Sequence, residues 1–135
     1  MKVNVNWSGN MAFESEVNGF KIPLDAEERV GGQNGGPRPK PMVLVALAGC
    51  TGMDVVSILG KMKVEFDYFN VEVSGNMTDE HPKYYNKIHI KYIFRGHHLP
   101  IDKLEKAITL SQEKYCGVSV MLRKVAEITH EIVIE

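Results

Sequence analysis

The longest apolar segment of the chain runs from Pro41 to Met62 and has no charged residue before Asp54. A run of ~22 residues is far too long for a strand and therefore predicts a helix. Pro41 suits the first turn of that helix, where a backbone N–H has no partner within the helix. The segment is apolar around its whole circumference, so the predicted helix must be covered on all sides.

A chain of 135 residues has little structure left to cover such a helix alone, so we expect a partner subunit. Small residues in the middle of the segment would let a second backbone cross closely: Ala46, Ala48, Gly49 and Gly52. A membrane span is the rival interpretation of the same length. Asp54, Ser57 and the three glycines of the segment argue against it.

Before the helix, apolar and polar residues alternate with a period of two, which predicts three short strands. They are centred on Val3–Trp7, Phe13–Val17 and Phe20–Leu24. Turn signals separate them, with Asn18-Gly19 typical of a tight hairpin turn. The region from Asp25 to Lys40 contains four glycines and no periodic pattern. Such a long connection often covers a functional site, and we predict that it does so here.

After the helix, period-two runs at Phe69–Val73 and Ile88–Phe94 predict a second hairpin. Helical spacing then predicts an amphipathic helix from Ile101 to Tyr115, a break near Gly117 and a shorter helix before a last strand. Strands and helices do not alternate, so a parallel doubly wound sheet is not expected. The pattern predicts a single α+β domain over residues 1–135, with antiparallel sheets around the apolar helix.

Composition narrows the range of partners. The formal net charge is −1 and 44% of the residues are hydrophobic, so no basic field draws the chain to nucleic acid or to an anionic membrane. The N-terminal residues alternate apolar with polar and lack the apolar core of a signal peptide. We therefore expect a cytoplasmic protein that binds small or neutral partners.

Cys50 and Cys116 are the only cysteines, too few for a disulfide scaffold in a chain of this size. A cysteine attacks only as thiolate, so each position depends on what lowers its pKa. Cys50 lies too deep in its helix to gain from the helix dipole, and Asp54 one turn later would raise its pKa. An activating cation must come from elsewhere, and Arg29 and Arg38 in the long loop are the candidates by sequence.

Cys116 lies just before the short helix that follows Gly117, where backbone amides of the next turn could stabilise a thiolate. An alternative remains open at this stage. Both cysteines could be small buried apolar residues, which is a common fate of free cysteine.

Neither a metal nor a nucleotide cofactor is predicted. Cys50, Cys116 and His130 are the candidate metal ligands, but no CxxC, HxxxH or HxH spacing supports such a site. His97-His98 is predicted to lie in an exposed turn. The GGQNGG segment lacks both the GxGxxG pattern and a phosphate-binding lysine.

Two segments carry a resemblance to a known family: PMVLVALAGCTGMDVVSILGKM around Cys50 and LSQEKYCGVSVMLRKVAEITH around Cys116. With them the chain resembles the OsmC/Ohr family, the osmotically inducible and organic hydroperoxide resistance proteins, and most closely its YhfA-like branch. The resemblance covers nearly the whole chain. It implies an intertwined homodimer in which sheets from both subunits wrap two long central helices.

The resemblance also implies a chemistry. The better-studied family members are thiol peroxidases, in which one cysteine attacks the peroxide and a second resolves the sulfenic acid as a disulfide. By resemblance, Cys50 is the peroxidatic cysteine and Cys116 the resolving one. Peroxidase members carry a glutamate nine or ten positions before the first cysteine, which orients an arginine over the thiolate. Lys40-Pro41 occupy that place here, and Glu28 with Arg29 are the candidate substitutes.

These observations favour a cytoplasmic dimeric thiol peroxidase that reduces organic hydroperoxides and is regenerated by a thiol reductant which the sequence does not identify. An apolar pocket around Cys50 is expected, lined by Met42, Leu44, Val45, Leu47 and Met53. Two alternatives use the same pocket. One is a non-enzymatic dimer that binds a small apolar ligand, and the other is a redox sensor that forms its disulfide stoichiometrically.

Overall fold

A computed structural model describes all 135 residues, as two compact units, Met1–Val43 and Leu44–Glu135. The fold is α+β, as predicted. Its elements in chain order are β1 (Asn4–Gly9), β2 (Ala12–Val17), β3 (Phe20–Leu24), α1 (Pro39–Lys61), β4 (Tyr68–Met77), β5 (Tyr85–Arg95), α2 (Ile101–Leu110), α3 (Gly117–Arg123) and β6 (Glu127–Ile134).

The first unit contains the predicted meander, an antiparallel sheet in the order β1-β2-β3. Asn18 and Gly19 both have positive φ, as a tight hairpin turn between β2 and β3 requires. Ser15 is the one strand residue of this sheet that is buried. Large apolar side chains such as Trp7, 67% exposed, and Phe20 lie open. The meander therefore has little core of its own.

The long connection after β3 is ordered by one buried carboxylate. Asp25 accepts hydrogen bonds from the backbone amides of Ala26, Gln33 and Gly35 at 2.7, 3.1 and 2.9 Å. These amides, Gly35 foremost, lower the pKa of Asp25. A Cβ at Gly32 would lie 2.0 Å from the carbonyl oxygen of Ala26, so the loop closes only with glycine there. The connection is a compact fold around Asp25, with a 3₁₀ turn at Glu28–Val30.

The apolar helix α1 begins two residues earlier than predicted, because Pro39 and Pro41 both fit a first turn whose amides have no partner within the helix. Four residues spaced by one turn form its buried edge: Leu47, Thr51, Val55 and Leu59. Elsewhere the helix is open, and Met53 is 76% exposed. By length and composition α1 could also cross a membrane, a test that core helices pass as well.

The second sheet has the order β4-β5-β6. β4 and β5 form the predicted antiparallel hairpin, and Ile88, Ile90, Tyr92 and Phe94 on β5 are buried. β6, however, pairs with β5 in parallel, with His130 opposite Ile90, so the expectation of purely antiparallel sheets is wrong for this strand. The helical segment between β5 and β6 provides the crossover that a parallel pair needs.

The predicted helix from Ile101 to Tyr115 is divided. α2 ends at Leu110, and residues Ser111–Tyr115 continue as a π-helical turn that closes with a 2.7 Å hydrogen bond from the Cys116 amide to the Ser111 carbonyl. A π turn is wound less tightly than an α-helix. The residues after Leu110 therefore do not continue the buried side that α-helical spacing predicts. Tyr115, predicted on the apolar side, is 53% exposed, while Ser111 and Gln112 are buried instead.

Replacing Leu104, fully buried on α2, with alanine is expected to lower the free energy of unfolding by about 2–5 kcal/mol, because the cavity adds to the lost transfer energy. Ile101→Ala on the same helix is the matched control, since Ile101 is 44% exposed. Urea denaturation measures both variants. Equal losses for the two would contradict the assigned orientation of α2.

Candidate functional site

The two thiols lie side by side. Cys50 is on α1, and Cys116 is the residue between the π turn and α3. Their sulfur atoms and a carboxylate oxygen of Asp54 all lie within 4.8 Å of one another. Both thiols are reduced in this structure; Cys50 is half-buried and Cys116 is 1% exposed.

The first turn of α3 donates a backbone amide to each sulfur. The Ser119 amide donates to Cys116 Sγ at 3.4 Å, which makes the cysteine side chain the N-cap of the helix. The Val118 amide donates to Cys50. Amides beside Cys116 were predicted from the sequence, whereas their contact with Cys50 was not. A hydrogen bond from an amide favours the thiolate.

Other influences on Cys50 outweigh that amide. Burial is the largest, and it raises the pKa of the Cys50 thiol, as do the hydrogen bond to the Cys116 thiol and the negative charge of Asp54. The predicted repulsion by Asp54 is therefore confirmed in direction, though it is smaller than the effect of burial. No cation of the unit Leu44–Glu135 contributes to the pKa of Cys50. The thiol is therefore less ionised at neutral pH than an ordinary cysteine.

A buried group of polar side chains connects α1, β5 and the π turn. Thr51 Oγ1 lies 2.7 Å from both Tyr92 Oη and Ser111 Oγ. Gln112 Nε2 donates to Thr51 Oγ1 at 3.2 Å and to Tyr92 Oη at 2.9 Å. Ser111 Oγ donates to Asp54 Oδ2 at 3.0 Å. We call these five residues, Asp54 included, the hydroxyl cluster.

The hydroxyl cluster has one consistent hydrogen-bond direction. Each hydroxyl has a single proton to donate. Ser111 gives its proton to Asp54, so Thr51 must donate to Ser111, and Tyr92 must donate to Thr51. Burial raises the pKa of Tyr92, which keeps its phenol protonated and able to donate. The chain of donors runs from Tyr92 to the carboxylate next to the two thiols.

The charged residues proposed from sequence are engaged within the first unit. Arg29 Nε donates to Glu27 Oε2 at 2.8 Å, and this ion pair raises the pKa of Arg29. Glu28 lies exposed in the same 3₁₀ turn. Arg38 donates to the carbonyl oxygen of Gly36 at 2.9 Å. The assignment of these three residues to Cys50 stays a prediction.

Of the three residues considered as metal ligands, only the two cysteines lie together. His130 is on β6 with its ring edge-on to Tyr92, the ring centroids 6.0 Å apart, and Asp54 takes its place beside the thiols. Two thiols and one carboxylate are a donor set that zinc accepts, but only after both thiols lose their protons. The raised pKa of Cys50 works against that step.

An apolar groove of about 450 Å³ runs along the open side of α1. Its lining is nearly free of polar groups and includes Gly49, the residue before Cys50. Met53 lines it as predicted, but Leu47 faces the core and the other walls were not predicted. The groove is lined by Gly49, Gly52, Met53, Val56, Ser57, Phe69 and Val71.

Comparison with known proteins fits this arrangement. The family model described as OsmC-like protein matches residues 32–131, which include both cysteines, Asp54 and the π turn. The chain belongs to the OsmC-like family. Protein YhfA of Escherichia coli strain K12 is 35% identical over 133 residues, which cover 96% of this chain and 95% of YhfA.

Solved structures agree with the fold. A hypothetical protein from Aquifex aeolicus has a TM-score of 0.83 at 31% identity, with 99% of this chain and 96% of that chain covered. An organic hydroperoxide resistance protein OsmC from Legionella pneumophila has a TM-score of 0.73 at 13% identity, with 98% and 95% covered. At that identity the second likeness shows the fold alone.

Sequence reasoning missed most of the hydroxyl cluster. Thr51 is polar in an apolar helix and follows the thiol directly, a signal that was present in the sequence. Ser111 and Gln112 lie 60 and 61 positions from Thr51 and gave no such signal, because only the π turn carries them inward.

A pH titration of the thiolate absorbance near 240 nm tests the electrostatics of Cys50. In Cys116→Ser, which leaves a single thiol, we expect Cys50 to ionise above the ordinary value of about 8.5. Adding Asp54→Asn removes a negative charge beside the thiol and should move its ionisation to lower pH. An unchanged or higher titration midpoint would contradict the repulsion.

Proposed function

We propose that this protein is a cytoplasmic thiol peroxidase that reduces organic hydroperoxides through the thiols of Cys50 and Cys116. The observation that carries the proposal is the pair of sulfur atoms within 4.8 Å in a member of the OsmC-like family. The name of the Legionella protein, an organic hydroperoxide resistance protein, supports the same class of reaction.

The proposed cycle uses each thiol once. Cys50 thiolate attacks the distal oxygen of the hydroperoxide, the O–O bond breaks, and the alkoxide takes up the proton that the thiol lost and leaves as alcohol. Cys116 sulfur then attacks the resulting sulfenic acid, the S–O bond breaks, and water leaves. Two electrons pass from the thiols to the peroxide. An external dithiol, of unspecified identity, would return the disulfide to thiols by exchange.

The different exposure of the two thiols supports this order. Cys50 is half-buried and its sequence neighbour Gly49 lines the apolar groove, whereas Cys116 is 1% exposed. The more accessible sulfur is the better candidate to meet the peroxide. The groove's apolar walls favour an alkyl or aryl hydroperoxide over hydrogen peroxide.

The proposal includes a homodimer. Apolar side chains lie open on α1, where Val45, Met53 and Val56 are exposed, and on the meander, where Trp7 and Phe20 are exposed. Large exposed apolar side chains that cluster on one surface mark interaction sites. A second copy of the chain is the partner that the family resemblance implies.

A stoichiometric redox sensor is the second candidate, and the raised pKa of Cys50 favours it. A thiol that is mostly protonated reacts slowly, which suits a signal more than rapid turnover. A third candidate, non-enzymatic binding of a small apolar ligand, is supported by the groove alone.

Cumene hydroperoxide at one equivalent should remove both thiols of the reduced protein and form an intramolecular Cys50–Cys116 disulfide. Cys50→Ser should consume no peroxide, and Cys116→Ser should stop at a sulfenic acid that a dimedone trap captures. Because the thiolate is the nucleophile, the rate should rise about tenfold per pH unit up to the pKa of Cys50. Mass spectrometry and stopped-flow kinetics measure these outcomes.

Repeated turnover with dithiothreitol separates an enzyme from a sensor. Continuous peroxide consumption in the wild type, lost in Cys50→Ser, supports the peroxidase. A single turnover supports the sensor. Survival of both thiols in excess peroxide would refute both and leave ligand binding.

Met53→Glu places a charge on the most exposed apolar side chain of the groove and should convert the dimer to monomer. Sedimentation velocity measures the mass of the particle in solution. Thr109→Glu, exposed on α2, is the matched control and should leave the mass unchanged. A wild-type protein that sediments as a monomer would contradict the proposed assembly.

A further inference from the structure

We propose that Asp54 is the proton shuttle of the thiol pair: its carboxylate takes the proton from Cys116 as that sulfur attacks, and delivers it to the oxygen that leaves Cys50. This assignment rests on the proposed peroxidase cycle for the leaving oxygen. The first half, removal of the proton from Cys116, applies to any reaction in which Cys116 attacks the sulfur atom of Cys50 and displaces a leaving group.

The position of Asp54 carries the proposal. It lies one helical turn after Cys50, and one of its oxygens is within 4.8 Å of both sulfur atoms. Disulfide formation moves one proton from Cys116 to the departing oxygen. A carboxylate between the two can accept that proton and give it back, so that it ends each turnover as it began. No other carboxylate belongs to this cluster.

The hydroxyl cluster holds Asp54 in place for this task. Ser111 donates to Oδ2, which orients the carboxylate and leaves Oδ1 free of hydrogen bonds from the chain. Thr51, Gln112 and Tyr92 in turn fix Ser111 through hydrogen bonds of 2.7 to 3.2 Å. Arg123 donates to both Gln112 oxygens and completes the support. Ser111 is thus a positioning residue, while a carboxylate oxygen of Asp54 lies within 4.8 Å of both reacting sulfur atoms.

The structure also gives a reason for the chain to need such a group. Burial raises the pKa of Cys50, and no cation of this unit acts to lower it. If Asp54 served only as a fixed negative charge, it would hinder every thiolate step. A carboxylate that accepts and returns the proton acts instead as a general base and then as a general acid. Such catalysis typically raises the rate by about 10²–10⁴.

The two roles predict opposite effects of Asp54→Asn. Asparagine has nearly the same shape and no charge. Loss of a repelling charge would lower the thiol pKa and speed disulfide formation. Loss of a proton shuttle would slow it, and we expect a decrease of at least about 100-fold.

The first arm of the test needs no peroxide. Ellman's reagent first forms a mixed disulfide between its aromatic thiol and Cys50. Attack by Cys116 then releases the aromatic thiol, and its absorbance is followed in a stopped-flow instrument. Cys116→Ser identifies the loaded residue, because its mixed disulfide should persist. A 100-fold slower release in Asp54→Asn supports the shuttle, and an equal or faster release overturns it. Asp102→Asn, on the exposed side of α2, is the matched control.

The pH profile is a readout that a merely structural role would not move. Because Asp54 takes the proton from Cys116, the rate of disulfide closure in the wild type should not follow hydroxide over the whole pH range, whereas the rate in Asp54→Asn should vary in proportion to hydroxide. The other titratable groups that face the site are Cys50, Cys116 and Tyr92. Ser111→Ala should keep the wild-type form of the profile at a lower rate. A wild-type rate proportional to hydroxide over the whole range overturns the proposal.

The second arm uses cumene hydroperoxide and distinguishes failure of the peroxidase proposal from failure of the proton-shuttle proposal. If no sulfenic acid forms at Cys50, the peroxidase fails while the first arm still decides the role of Asp54. If sulfenic acid forms and its conversion to disulfide is as fast in Asp54→Asn as in the wild type, the peroxidase stands and the shuttle fails.

Discussion

The closeness of two thiols, one half-buried and one buried, is the constraint around which the second unit is arranged. The long apolar helix α1 places Cys50. The position of Cys116 depends on where the chain leaves α2 and begins α3. The π turn at Ser111–Tyr115 provides that point, with its closing hydrogen bond from the Cys116 amide to the Ser111 carbonyl. It moves Cys116 to the core side and carries Ser111 and Gln112 inward with it.

Pairing the thiols in this way has an electrostatic consequence. Two protonated thiols can share a dry site at little cost, whereas a thiolate in the same site cannot. Burial therefore raises the pKa of Cys50, and of the α3 amides only that of Val118 opposes the shift. A polar cluster of hydroxyls and one carboxylate lies on the other side of the pair, fully hydrogen-bonded and directed towards Asp54. The two sulfur atoms thus lie between apolar surroundings, which raise the pKa of Cys50, and the hydroxyl cluster, which ends at Asp54.

Much of the fold could be predicted from periodicity. The apolar run gave α1 to within two residues, and period-two alternation located β1 to β5. The parallel pairing of β6 with β5 could not be predicted, because a buried strand shows the same alternation whichever way its neighbour runs. The π turn was missed for a similar reason, since tertiary packing decides where a helix unwinds.

Some residues of the candidate site could likewise be predicted from the sequence, and others could not. Cys50, Cys116 and the repulsion by Asp54 were accessible from residue type and from the resemblance to the OsmC/Ohr family. The hydroxyl cluster was not, because it joins Thr51, Tyr92 and Ser111 across 41 and 60 positions of sequence. Long-range polar contacts leave no periodic signal.

The most direct measurement of the central claim is a redox titration of the protein followed by cysteine Cβ chemical shifts in NMR spectra. The account predicts that Cys50 and Cys116 change from the reduced to the oxidised range together, within one chain, while the amide signals of β4 and β5 keep their dispersion. Oxidation of only one cysteine, a bond between chains, or a disulfide that forms only in the denatured protein would contradict it.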